Sequence, residues 1–93
     1  MIKIENARNI GPITAAELKI VGLDSLQKLR EVGAEEAFLL VIEKFPERLN
    51  LNFLYALFGS CRELDWRDIS IEDRNALEQF LAKTKKQLKK DVL

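Results

Sequence analysis

The sequence predicts an all-α fold, a compact single domain of five to six helices, and three observations carry that expectation. Leu and Ala are abundant while Val and Thr are few, a bias toward helix over strand. Apolar residues recur at spacings of three and four, most clearly at Ala34, Ala37, Phe38, Val41, Ile42 and Phe45. The breakers Gly11, Pro12, Gly22, Gly33 and Pro46 fall between such stretches, where helices start or stop. With 93 residues, 47% of them hydrophobic, the chain reads as one domain over 1–93 with enough apolar surface to bury a core.

Taken in order, residues 2–8 suit one short helical turn with Ile4 and Ala7 on one side. Asn9-Ile10-Gly11-Pro12 is a tight turn. A helix starts near Pro12, whose fixed φ suits a first turn, while Thr14 and Glu17 offer a second start as a capping box. Ile13, Ala16 and Ile20 form its expected apolar stripe, and Gly22 ends it. Asp24 is the expected N-cap of the next short helix, with Gln27 in the reciprocal position. Leu26, Leu29 and Val32 are its expected buried face, and Gly33 closes it. Glu35 and Glu36 open the third helix, where the dipole favours negative charge, and Pro46 stops it.

Residues 51–58 are apolar almost all round, so this segment belongs at the centre, covered by neighbours. Asn50 or Asn52 caps it. A buried strand competes for so short a run, but Leu and Ala richness and continuation through Cys61 favour helix. Gly59 inside a helix costs about 1 kcal/mol relative to Ala, so a close helix–helix contact is expected there. Residues 64–69 form a connector, with Trp66 expected over the core and its indole N–H bonded. Ser70 caps the last and longest helix, whose stripe is Leu77, Phe80, Leu81, Thr84 and Leu88.

Composition excludes several chemistries. The chain has no His, so neither a Ser-His-Asp nor a Cys-His nucleophile pair can form, and no enzyme is expected. One Cys with no His cannot build a zinc site or an internal disulfide, so no metal and no cofactor are expected. Cys61 itself reads as a small buried hydrophobe. Glu63, Asp65, Asp68, Glu72 and Asp73 form an acidic run without the glycine a calcium loop needs, so capping and solvation are expected of it. No run of about 18 apolar residues is present, hence no membrane partner, and cytoplasmic is the default location.

The 15 basic and 15 acidic residues cancel, which argues against a domain-wide grip on nucleic acid. The charge is nevertheless segregated. Residues 83–90 hold five Lys and no acid, whereas residues 31–80 hold eleven acids against five basic residues. The lysine run reads as a solvated helix end matched to the dipole, with its lysines surrounding the helix.

The segment Arg8-Asn9-Ile10-Gly11-Pro12-Ile13-Thr14-Ala15-Ala16 resembles the turn of a helix-hairpin-helix motif. That turn usually reads Gly-hydrophobic-Gly, then Pro or a small residue, then Ala a few positions on. Ile10, Gly11 and Ala16 match, and Asn9 replaces the first glycine with a residue that tolerates positive φ better than most. The resemblance implies that backbone N–H groups at a helix N-terminus meet a DNA phosphate. Arg8, Asn9, Ile10, Gly11, Ile13, Thr14 and Lys19 are then the candidate backbone-contact residues. A hairpin that only packs helices together is the competing reading, since Arg8 is the basic side chain beside the turn and affinity comes mainly from phosphate neutralisation.

A longer resemblance runs through Asn9-Ile10-Gly11-Pro12, Val21-Gly22-Leu23, Leu26 to Leu29 and Val32-Gly33-Ala34-Glu35-Glu36-Ala37-Phe38. It continues through Leu51-Asn52-Phe53-Leu54-Tyr55-Ala56-Leu57-Phe58-Gly59 to Trp66. This is similar to the C-terminal domain of the TfoX/Sxy family of bacterial competence regulators, and the run from Leu51 is its most specific piece. The resemblance implies an all-helical fold and a non-enzymatic role in regulating competence and DNA-uptake genes. The expected partner is either duplex DNA, contacted weakly through the hairpin-like turn, or a transcription-related protein. The alternative is a protein–protein interaction module with a purely structural hairpin.

Overall fold

The five helices expected from periodicity and punctuation are present in the computed structural model, which describes residues 1–92, with side chains through Lys90. They are α1 (Pro12–Ile20), α2 (Leu26–Val32), α3 (Ala34–Lys44), α4 (Leu51–Arg62) and α5 (Ile71–Val92). Single 3-10 turns lie at Ile4–Asn6, Pro46–Arg48 and Trp66–Asp68. Among the described residues the extended pairing is confined to one isolated bridge between Lys3 and Ser25.

The apolar run that opens α4 becomes the central helix, packed against α2, α3 and α5. Its Leu54 and Leu57 are buried with Phe38 and Val41 of α3, Leu29 of α2 and Leu18 of α1. Phe38 is 0% exposed, with ring centroids 5.8 Å from Phe53 and 6.2 Å from Phe80, the latter edge-on. Full burial of side chains this large stabilises by about 1.5–3 kcal/mol each. Asn50 Oδ1 accepts from the Phe53 N–H at 2.8 Å and starts α4, and Ser70 Oγ accepts from the Asp73 N–H at 3.1 Å and starts α5.

The α2 cap differs from expectation. Ser25, not Asp24, is the N-cap, its Oγ accepting from the Lys28 N–H at 3.2 Å. Two backbone bonds, Ile4 N–H to Asp24 O at 3.1 Å and Leu26 N–H to Ile2 O at 2.9 Å, hold this stretch extended and delay the helix by one residue. Asp24 instead pairs with Lys28 Nζ at 3.0 Å, and Gln27 Oε1 accepts from the Ile2 N–H. Ser25→Ala is therefore expected to cost about 1 kcal/mol in urea denaturation, while Asp24→Ala, at an exposed ion pair, is expected to leave the midpoint nearly unchanged.

The face of α1 is the larger correction. Ala15, Glu17 and Leu18 turn inward, while Ile13 (74% exposed), Ala16 and Ile20 (60% exposed) face solvent. The cause lies outside the helix. Arg48, in the turn after α3, donates from Nη2 to Thr14 Oγ1 at 2.7 Å and places Nε 3.0 Å from Glu17 Oε1. The latter is an ion pair without the alignment of a hydrogen bond. The same guanidinium lies 4.2 Å from the centroid of the Phe53 ring. Thr14 thus serves Arg48 rather than a capping box, and α1 begins at Pro12 with Gly11 as its N-cap position.

Smaller differences follow the same logic. Val32 and Leu88 extend their stripes beyond the core and stay exposed, and Trp66 is exposed on the connector rather than laid over the core. Lys83, Lys85, Lys86, Lys89 and Lys90 do not surround α5. At 100° per residue they span an arc of about 160°, from Lys85 beside the stripe of buried Leu77, Leu81 and Thr84 round to Lys83.

Candidate binding turn

Asn9 is the residue on which the turn is built. It adopts φ +69°, in the left-handed region, at the position where the hairpin pattern has its first glycine. Its side chain points inward. Nδ2 donates to Leu64 O at 2.8 Å, and Oδ1 accepts from the Trp66 N–H at 3.4 Å. One residue earlier, Arg8 O accepts a hydrogen bond from the buried Ser60 hydroxyl. The turn is therefore fastened to the end of α4 and to the connector that follows it.

Gly59 makes this fastening sterically feasible. A Cβ there would lie 2.5 Å from Asn9 Nδ2 and 2.7 Å from Leu64 O. The close approach expected at this glycine exists, but it is made by a side chain and a loop carbonyl rather than by a neighbouring helix. Glu63, at φ +55°, ends α4 in the left-handed region and turns the chain back toward Asn9. Sequence reasoning did not find Ser60, Leu64 or Trp66 as partners of the turn. The costly Gly59 inside a helix was the signal that something approached there.

The other candidate residues divide between fold and surface. Ile10 is buried in the core. Gly11 has φ −86° and open space around its Cβ position, so its backbone does not require glycine. Thr14 is held by Arg48, and Lys19 Nζ lies 3.3 Å from Glu5. Arg8 is exposed, and its charge helps hold the Asp65 carboxyl below the usual carboxylate range, an effect led by the hydrogen bond from Arg67. Ala15 N–H closes the first turn of α1 on Gly11 O at 2.9 Å, which leaves the Ile13 and Thr14 amides as the donors at the helix's open end.

Among the described residues no group of three His, Cys, Asp or Glu side chains is gathered to hold an ion. In the acidic run, Glu63 pairs with Arg30 at 3.1 Å and Asp65 with Arg67 at 2.9 Å. Burial pushes the Cys61 thiol up, opposite to what a reactive thiolate needs.

The family model for the TfoX C-terminal domain matches residues 1–81. The chain belongs to the TfoX C-terminal domain family. No curated protein matches it in sequence. Among solved structures, it is similar to an uncharacterized protein from Listeria monocytogenes in a triclinic crystal form. The TM-score is 0.85 at 25% identity, covering 89% of this chain and 93% of that one. A protein of unknown function from the same organism, in a tetragonal form, superposes at TM-score 0.78 and 28% identity, covering 82% of this chain and 92% of that one. In this TfoX C-terminal domain the matched span includes the turn at Asn9 and the whole of the α4 segment it is fastened to, and ends at Leu81 within α5.

Proposed function

We propose that this chain is a non-enzymatic regulatory domain in the control of competence and DNA-uptake genes. It acts by contacting a transcription-related protein, and its helix-hairpin-helix-like turn is a structural clasp. The observation that carries this reading is the commitment of the turn's polar groups. Asn9 is spent on Leu64 and Trp66, the Arg8 carbonyl on Ser60, and Lys19 on Glu5. A phosphate-binding turn keeps its donors turned toward solvent, whereas Asn9 Nδ2 is turned onto Leu64 O.

One observation favours a second reading, contact with the backbone of duplex DNA. The first turn of α1 is exposed at Gly11 and Ile13, with its amides at the open end and Arg8 beside it. Titration of a fluorescent duplex at low salt separates the two, because phosphate contacts weaken steeply as salt rises. The clasp reading expects no saturable binding even at the lowest salt. Salt-sensitive binding that is lost in Arg8→Ala and Lys19→Ala would replace it with the DNA reading.

A further inference from the structure

An open groove between α3 and α5 is unused by the clasp. Leu39 of α3 and Phe80, Thr84 and Leu88 of α5 line it. Leu39 is 38% exposed and Leu88 40%, so two large apolar side chains meet solvent at one place. The two rims carry opposite charge. On α3, exposed Glu36 and Glu43 stand three residues before and four after Leu39, on its own side of the helix. On α5, exposed Lys83 lines the groove, and Lys90 repeats its position two turns later. Among the described residues no ion pair joins the two rims, and Lys83, Lys86 and Lys90 have no carboxylate partner.

We propose that this groove is the interface of a two-fold homodimer. A partner that fits an apolar floor between one acidic and one basic rim must present the same charges in reverse order. A second copy, rotated about an axis running along the groove, does so: α3 of one copy faces α5 of the other, twice. This is the self-complementarity a two-fold interface requires. The zero net charge of the chain removes the repulsion that identical copies of a charged protein feel at a distance. A stable interface buries at least about 1,000 Å² in total. Helices of 11 and 22 residues from each copy are long enough to supply it. The proposal is independent of whether the turn at Asn9 touches DNA.

Sedimentation of the whole chain from micromolar to millimolar concentration tests it. The expected mass rises from monomer to dimer, and Lys83→Glu with Lys90→Glu weakens the association about tenfold or more. Glu36→Lys with Glu43→Lys does the same. All four positions are exposed, so both variants keep the wild-type circular dichroism. Mixed together the two variants associate, since each then meets opposite charge at both rims. A wild-type chain that stays monomeric throughout overturns the proposal. So does a dimer indifferent to the rim charges, or variants that fail to associate on mixing.

Discussion

Gly59→Ala is expected to destabilise the domain by about 2 kcal/mol, although Ala for Gly in a helix interior normally gains about 1 kcal/mol. The added methyl would sit 2.7 Å from Leu64 O, a backbone atom, and 2.5 Å from Asn9 Nδ2. Neither retreats cheaply, because the two are hydrogen-bonded to each other at 2.8 Å. Making room for the methyl therefore breaks that bond or shifts the end of α4. Urea denaturation shows the result as a lower midpoint with unchanged slope. A neutral or stabilised Gly59→Ala would mean that the connector does not bear on α4 as described.

Asn9→Ala is expected to cost about 2–5 kcal/mol, the sum of two causes. Ala at φ +69° carries roughly 1–2 kcal/mol of backbone strain, and each lost hydrogen bond to the connector removes about 0.5–1.5 kcal/mol. Asn9→Gly restores the glycine of the hairpin pattern and removes the strain, so it isolates the clasp and is expected to cost about half as much. Combining Asn9→Gly with Gly59→Ala should cost less than the sum of the single changes. The methyl then meets only Leu64 O, freed from its donor. Additive losses would show that Asn9 and Gly59 act separately.

The residues that sequence reasoning placed correctly are those whose position depends on near neighbours. Ala37, Phe38 and Val41 repeat at helical spacing on one face, whereas Leu39 on the other side has Glu35, Glu36 and Glu43 at the neighbouring helical positions and begins no second stripe there. Asn50 and Ser70 stand directly before their helices, so their caps are local facts. On α1 both faces carry apolar residues, Ile13, Ala16 and Ile20 against Ala15 and Leu18. The choice between them is made by Arg48, which is 31 residues beyond Glu17 and invisible to periodicity. Ser25 and Asp24 are adjacent good caps, and the backbone bonds to Ile2 and Ile4 decide between them. At the candidate turn the unusual φ of Asn9 was legible, because the pattern demands it. Its partners Leu64 and Trp66 lie 55 and 57 residues away and have no local signature. The lysine run was legible as a solvated helix end, but its one-sidedness appears only when the positions are wound onto α5.

The central claim is that the hairpin-like turn is spent on the fold. The most direct measurement is an amide nuclear magnetic resonance titration of the whole chain with duplex DNA at low salt. The clasp account expects the amides of Ile10, Gly11, Ile13 and Thr14 to keep their positions at every DNA concentration. Saturable shifts at Gly11, Ile13 and Thr14 that vanish as salt is raised would contradict it.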